Sequence, residues 1–326
     1  MRSKVLVTGG TGSFGQAFID HILRECPTLD VVVFSRDELK QAEARARFGN
    51  DPRIRWVLGD VRSYDDLRRA MHGVVLVVHA AALKHVDSAE RNPWQYVQTN
   101  IIGSQNVISA AIDAGVHKVV ALSTDKASSP INLYGATKLC ADKLFRNANH
   151  TAAAHRTRFA VVRYGNVFGS RGSVVPFFLD LGARGEPLPI TDMRCTRFII
   201  SMSEAVRTVV ETIEFMQGGE LVVPAIPSVG IEDLALGLVP GAALVEVGLR
   251  PGEKLHEEMI SVEEGQRCVM LPGGRYFVIE PELDGWGYET PVDAMPVVEG
   301  FVLRSDTNSR WYARSHIRAM AEEAVA

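Results

Sequence analysis

The chain has 326 residues, of which 46% are apolar and 23% charged, and its formal net charge is −4. That length supports one large or two modest domains, each with a full core. Lys and Arg are spread evenly, which excludes a basic nucleic-acid surface, and no apolar run is long enough to span a bilayer.

The first half alternates short β-branched runs with stretches of helical length. Strands are predicted at Lys4–Thr8, Val31–Ser35, Ile54–Leu58, Val74–His79, Lys118–Leu122 and Phe159–Tyr164. Helices are predicted at Phe14–Glu25, Glu38–Phe48, Asp65–His72, Asn92–Ala114 and Tyr134–Asn149. This order implies an α/β fold, a Rossmann-type doubly wound parallel sheet covered on both faces. After Gly165 glycine and proline become dense. A helix at Ser203–Met216 and a strand at Glu220–Val223 follow, with short helices expected at Ile231–Leu238 and Lys254–Ile260. The reading is a cofactor-binding domain over residues 1–165, joined by later segments near 198–224, and a smaller substrate-binding lobe over 166–326.

The start Met1-Arg2-Ser3-Lys4 runs straight into Val5-Leu6-Val7, without the apolar core of a secretory signal. Cys26, Cys140, Cys195 and Cys268 lack zinc-site spacing and read as reduced thiols of a cytoplasmic protein. His79 and His85 have no third ligand in register, so no metal is expected.

The sharpest local signal is Gly9-Gly10-Thr11-Gly12-Ser13-Phe14-Gly15, which follows a strand and opens a helix. Glycines at 9, 12 and 15 permit a sharp turn, close approach to a pyrophosphate and tight helix packing, and the helix N-terminus offers free N–H groups to the phosphates. An NAD site places a carboxylate about 20 residues further on. Here that place holds Ser35 and Arg36, with Lys40 one turn later, which suits the 2′-phosphate of NADP, although Asp37 stands nearby. Asp60, after the third strand, is a candidate for adenine or for a helix cap.

The fifth strand runs into Ser123-Thr124-Asp125-Lys126, and Tyr134 and Lys138 follow four apart on one helix face. An ammonium beside a phenol favours phenolate, which can take a hydroxyl proton while hydride leaves. Asp125 and Lys126 are candidates for an acid and a base within reach of one bound ligand, or for a capping carboxylate and an exposed lysine. Lys84 and Asn166 lie at strand C-termini, where ligands collect in open α/β sheets. Val174, Val175 and Phe178 are candidates for a base-stacking wall or for core. Arg197 and Arg250 are candidates for a diphosphate or ordinary surface arginines.

The glycine turn, Asn100 and Tyr134/Lys138 together resemble the extended short-chain dehydrogenase/reductase family. Ser35–Gln41, His79–His85, Ser123–Ala127, Pro130–Lys138, Arg163–Val167, Gly169–Phe178 and Arg250–Glu257 bring the resemblance closer to inverting UDP-N-acetylglucosamine 4,6-dehydratases of the pseudaminic acid route. Cys195 departs from the Met expected there, and the residues after 260 match only loosely. The resemblance implies NADP held by Thr11–Phe14, Ser35–Lys40 (with Glu38 and Leu39), Asp60, Val61, Ala80, Lys84, Tyr134 and Lys138. It assigns Lys84 and Asn166 to the sugar nucleotide and implies a homo-oligomer. It further implies oxidation at carbon 4 by Tyr134 with Thr124 and Lys138, loss of water across carbons 5 and 6 using Asp125 as acid and Lys126 as base, hydride return to carbon 6, and protonation of carbon 5 on the opposite face. A retaining dehydratase, a 4-epimerase and a non-catalytic NADP-sensing module stay open as alternatives.

Overall fold

The computed structural model describes residues 2–155, 157–283 and 285–325. In chain order the first half contains β1 (Ser3–Thr8), α1 (Ser13–Glu25), β2 (Leu29–Ser35), α2 (Glu38–Phe48), β3 (Ile54–Leu58), α3 (Tyr64–Ala70), β4 (Val74–His79), α4 (Val86–Arg91), α5 (Pro93–Tyr96), a π-helical segment (Val97–Ile102), α6 (Gly103–Asp113), β5 (Lys118–Thr124), a 3₁₀ turn (Asp125–Ala127), α7 (Leu133–Ala152) and β6 (Arg158–Tyr164). The second half contains β7 (Asn166–Val167), α8 (Val174–Ala183), β8 (Leu188–Ile190), β9 (Thr196–Ile200), α9 (Met202–Phe215), β10 (Leu221–Pro224), β11 (Ser228–Gly230), α10 (Ile231–Leu238), β12 (Leu244–Glu246), β13 (Glu258–Ile260), α11 (Val262–Gly265), β14 (Cys268–Met270), β15 (Tyr276–Ile279), β16 (Met295–Pro296), β17 (Leu303–Arg304) and α12 (Arg314–Val325).

Among the described residues the large sheet has ten strands in the order β16-β14-β15-β10-β6-β5-β4-β1-β2-β3. Strands β1 to β6 and β10 are parallel, and β15 joins β10 antiparallel. The unbroken runs Val5–Val7, Val31–Phe34 and Phe159–Val162 are buried because helices cover both faces. Strand order reverses between β1 and β4, and the crevice at the strand C-termini there is the natural ligand site of such a sheet. A second core, with Phe168, Phe178, Leu188, Ile190, Leu234 and Ile317, fills the lobe built on α8, α10, α12 and the small sheets β11-β9-β7 and β12-β8.

Two elements differ from the sequence expectation. The helix predicted over Asn92–Ala114 restarts at Pro93, which lacks an N–H and suits a first helical turn, and then widens into the π segment. That widening turns Asn100 back onto Leu83, whose N–H it accepts at 2.9 Å and whose carbonyl it donates to at 3.0 Å. The helix expected over Lys254–Ile260 is overturned. The segment is extended: the Leu255 carbonyl accepts from Thr196 N–H, the Glu257 carbonyl from Ser305 N–H, and Glu258–Ile260 pairs antiparallel with Leu303–Arg304. Long-range pairing outweighs local propensity there, and it buries Met259 and Ile260 completely. Among the described residues no helix is long and apolar enough to cross a membrane.

Helix α7 presses directly on the 3₁₀ turn. A Cβ at Gly135 would lie 2.1 Å from the Lys126 carbonyl oxygen, so only glycine fits. Gly135→Ala is expected to lower stability by about 1–3 kcal/mol through overpacking. Urea denaturation followed by circular dichroism checks this, and an unchanged midpoint would contradict the tight contact.

Candidate active site

The glycine turn sits between β1 and α1. Gly9 adopts φ +65°, and a Cβ there would approach Ala81 Cα and N at 2.9 Å. At Gly15 a Cβ would lie 2.5 Å from Gly10 Cα, so the glycine lets α1 fold back tightly on the turn. The N-cap Gly12 supplies no side-chain cap to α1, leaving its first N–H groups for an anion. This cradle opens into a cavity of about 690 Å³ lined by Thr11, Gly12, Ser13, Phe14, Ser35, Arg36, Asp37, Lys40, Asp60, Val61, Ala80, Lys84, Thr124, Asp125, Lys126 and Tyr134. The turn and the cavity fit a dinucleotide. Glu38 and Leu39 do not line it.

At the far end, Ser35 is buried and its hydroxyl oxygen accepts from Gln41 Nε2 at 3.1 Å. Asp37 caps α2 by accepting from Lys40 N–H at 3.0 Å, and it also pairs with Lys40 Nζ at 3.0 Å. Arg36 is half exposed and 3.9 Å from Asp60. Arg62 grips Asp60 through Nε, Nη2 and its own N–H, so the Asp60 carboxylate is already well supplied with donors. Burial pushes the Asp60 carboxyl up, but the Arg62 hydrogen bonds override this and hold it below its ordinary range.

The chemistry collects at the C-terminal end of β5. Thr124 Oγ1 donates to Asp125 Oδ1 at 2.8 Å, and Lys126 Nζ donates to the same oxygen at 3.0 Å. Lys126 Nζ is also 3.4 Å from Glu257 Oε1. Burial would lower the lysine's proton affinity, but Asp125 and Glu257 overcome it and hold the group above the ordinary ammonium range. Burial pushes the Tyr134 phenol up to about 12, opposed by the Lys126 charge and by the Thr124 hydroxyl. Lys138 shares the Tyr134 face of α7 as its spacing predicts, yet its Nζ donates to the Leu122 carbonyl at 2.7 Å. The cation acting on the Tyr134 phenol is therefore Lys126. Burial lowers the Lys138 pKa, partly offset by Asp142.

Beneath this cluster lies Arg163 on β6, with no exposed surface. It pairs with Asp142 of α7 at 3.2 Å and Glu264 of α11 at 2.8 Å, and donates to the Met259 carbonyl at 3.0 Å. Asp142 also accepts from Ser123 Oγ at 2.7 Å.

A second cavity of about 780 Å³ adjoins the first and shares Lys84, His85, Lys126, Asn166, Gly172 and Ser173 with it. Val174, Phe178, Arg197 and Arg250 line it, as do Phe177, Glu253 and Glu257, which the sequence reading did not single out. Val175 does not; it packs in the second core. The Arg197 guanidinium is engaged by Glu253 at 2.7 Å and by the Thr196 and Leu255 carbonyls, which leaves the exposed Arg250 freer to meet an anion. Lys84 Nζ donates to the Arg171 carbonyl at 2.9 Å, while Arg171 Nη2 donates to the Thr11 carbonyl at 2.5 Å. Arg171 lay inside the run Gly169–Phe178, but nothing in its local spacing signals a reach to the glycine turn.

Asp125 Oδ2, Asn166 Oδ1, Ser173 Oγ and Glu257 Oε2 are buried and have no hydrogen-bond partner among the described residues. Buried polar atoms are rarely left so. Their residues all line one or both cavities, which marks the junction as a place for a ligand rich in hydroxyl and N–H groups. His79 is a core residue instead: it bonds Thr8 Oγ1 at 2.8 Å, and burial pushes its pKa down to about 3. Among the described residues no group of His, Cys, Asp and Glu could hold a metal ion.

The strand order and the glycine turn place the chain among the extended short-chain dehydrogenases/reductases. Within that class the chain belongs to the family described as polysaccharide biosynthesis protein, whose model matches residues 5–279. It is 46% identical over 324 residues to a UDP-N-acetylglucosamine 4,6-dehydratase (inverting) of Campylobacter jejuni, covering 97% of this chain and 96% of that one. It is 41% identical to a UDP-glucose 4-epimerase of Rickettsia felis, over 83% of this chain and 81% of the other. The X-ray structure of Pen from Bacillus thuringiensis superposes with a TM-score of 0.91 at 35% identity, covering 99% of this chain and 98% of that one. DesIV, a dTDP-glucose 4,6-dehydratase from Streptomyces venezuelae solved with NAD and TYD bound, gives 0.69 at 27% identity, over 77% and 86%.

At Gly12 a Cβ would meet only the Gly9 carbonyl oxygen, at 3.1 Å, and otherwise open space. Gly12→Val should therefore keep the fold with only a small adjustment of the turn at Gly9, yet bind dinucleotide at least about tenfold more weakly by intruding on the pyrophosphate path. Calorimetric titration beside a thermal melt checks this; undiminished affinity would remove Gly12 from the cradle.

Proposed function

We propose that this protein is an inverting, NADP-dependent UDP-N-acetylglucosamine 4,6-dehydratase. The observation that carries the reading is the Asp125–Lys126 pair, hydrogen-bonded at 3.0 Å beside Tyr134 at the end of β5. The 46% identity to the Campylobacter enzyme over nearly the whole chain supports it.

The bound nicotinamide would accept hydride from carbon 4 of the sugar and return it at carbon 6, so the reaction has no net redox change. Tyr134 takes the proton of the 4-hydroxyl as a phenolate, the form that the Lys126 charge and the Thr124 hydroxyl favour against burial. Lys138 steadies this end of the site from the Leu122 carbonyl. The ketone formed at carbon 4 acidifies the hydrogen on carbon 5. Proton transfer along the Lys126–Asp125 hydrogen bond turns an ion pair into a neutral amine and a carboxylic acid. The amine then removes the carbon-5 proton, and Asp125 gives its proton to the 6-hydroxyl, which leaves as water. Both groups end in the charged forms they began with. A proton arriving at carbon 5 from the opposite face completes the L-arabino product. An epimerase needs only the oxidation and its reversal, so it has no use for this acid–base pair.

Asn166 and Lys84 are read as sugar-nucleotide contacts, Val174, Phe177 and Phe178 as the wall beside the base, and Arg250 as the diphosphate contact. Ser35, Arg36 and Lys40 are read as the 2′-phosphate site. There the phosphate would draw Lys40 from Asp37 and Arg36 from Asp60. The protein is further read as a cytoplasmic homo-oligomer serving the pseudaminic acid route, as its resemblance implies.

NADP should bind more tightly than NAD, and Arg36→Asp should narrow or reverse the difference; equal affinities in the unsubstituted protein, by calorimetry, would refute this. Incubation with UDP-N-acetylglucosamine in deuterated water tests the reaction. Proton NMR is expected to show UDP-2-acetamido-2,6-dideoxy-β-L-arabino-hexos-4-ulose with deuterium at carbon 5. A D-xylo ring as the first species formed would exclude inversion, and a galacto product with an intact 6-hydroxyl would exclude dehydration.

A further inference from the structure

Glu257 has no assigned part in the chemistry above. It is 2% exposed, and it is fixed by its backbone, whose N–H donates to Ser305 Oγ at 2.8 Å and whose carbonyl accepts from Ser305 N–H at 2.8 Å. Its Oε1 lies 3.4 Å from Lys126 Nζ and 3.9 Å from Arg197 Nε, and its Oε2 has no partner among the described residues. Lys126 is thus flanked by two buried carboxylates, Asp125 and Glu257, although one would suffice to exchange a proton with it.

We propose that Glu257 is a positioning residue that sets the stereochemical outcome at carbon 5, by keeping on Lys126 the proton taken from that carbon so that it is not handed back on the face it left. This rests on the reading of the protein as an inverting 4,6-dehydratase.

The proton balance gives the reason. Elimination moves the carbon-5 proton to Lys126 and the Asp125 proton to the departing oxygen. The dyad is then an ammonium beside a carboxylate, with the Glu257 carboxylate also in contact. Return of that proton to carbon 5 would give the retained D-xylo ring. It would also leave a neutral amine between two buried carboxylates, with only Arg197 to offset them. Uncompensated buried charge is strongly unfavourable. The other groups acting on Lys126 are few: Asp125 and Glu257 favour the ammonium, Arg197 opposes it, and Tyr134, having taken the 4-hydroxyl proton, is by then a neutral phenol. With return on the first face suppressed, carbon 5 waits for a donor on the second.

The test uses NADP-loaded enzyme carrying Glu257→Gln or Glu257→Asp. Each is given UDP-N-acetylglucosamine deuterated at carbon 5 in ordinary water, and the first-formed product is read by NMR. Separately, ¹⁵N-lysine-labelled protein is titrated, the Lys126 signal being the one lost in Lys126→Arg. Glu257→Gln is expected to lower the Lys126 midpoint by at least about one pH unit, a tenfold loss of proton affinity. The D-xylo share should rise at least tenfold, and that share should keep some of the substrate's own deuterium. Glu257→Asp should restore inversion largely, with a smaller shift in the same direction, and it carries the test if the glutamine variant does not fold. A folded Glu257→Gln enzyme that makes only L-arabino product overturns the proposal, whether or not the midpoint moves. An unmoved midpoint overturns it as well. A D-xylo product from the unsubstituted enzyme would instead refute the inverting reading itself, and the titration would still report the Glu257–Lys126 coupling without turnover.

Discussion

One guanidinium without solvent contact holds the elements around the candidate site in register. Arg163 reaches from β6 to Asp142 on α7, to Glu264 on α11 and to the Met259 carbonyl, and Asp142 continues the link to Ser123 on β5. These are the segments that carry the Asp125–Lys126 turn, the Tyr134 and Lys138 face, and the extended stretch with Glu257. Taking such charges out of water is costly, and the cost is met only when every partner is in place. The network is therefore worth less as stability than as alignment. It lets Asp125 and Lys126 of the turn sit near the Tyr134 phenol and near the carboxylate of Glu257, on a segment more than a hundred residues away.

Much of the frame was legible because it follows from local rules. Continuous β-branched runs bounded by glycine marked the parallel strands, and the glycine spacing after β1 marked the cradle. The Asp125–Lys126 pair was legible because neighbouring residues at a strand end share one turn, where Lys126 Nζ donates to Asp125 Oδ1 at 3.0 Å. Distant pairing was not legible. Lys254–Ile260 has the composition of a short helix, and only its partners at Thr196, Leu303 and Ser305 make it extended. In that form it delivers Glu257 to Lys126, and Glu258 to the hydroxyls of Ser128 and Ser129 at 2.9 and 2.6 Å. Reading the segment as a helix hid both contacts. The same limit applies to Lys138: helix spacing put it beside Tyr134, but tertiary packing turned its ammonium to Leu122.

The site manages charge by local pairing and not by a global field. At a net charge of −4 the protein has no general attraction for an anionic nucleotide. Lys40 rests on Asp37, Arg36 lies near Asp60, Arg197 rests on Glu253, and Lys84 on a carbonyl. Each cation is kept in reach of the cavities by a partner it can share or leave.

The bond from Arg171 to the Thr11 carbonyl joins the loop between β7 and α8 to the glycine turn, and Ser13 Oγ accepts from the Arg171 N–H at 3.2 Å to reinforce it. The loop thus lies across the rim of the cleft like a clasp. A catalyst that lends a hydride and recovers it within one turnover has no need to trade its dinucleotide with the bulk pool. Behind such a clasp the dinucleotide would serve as a resident tool, closer to a prosthetic group than to a co-substrate, and only the sugar nucleotide would come and go.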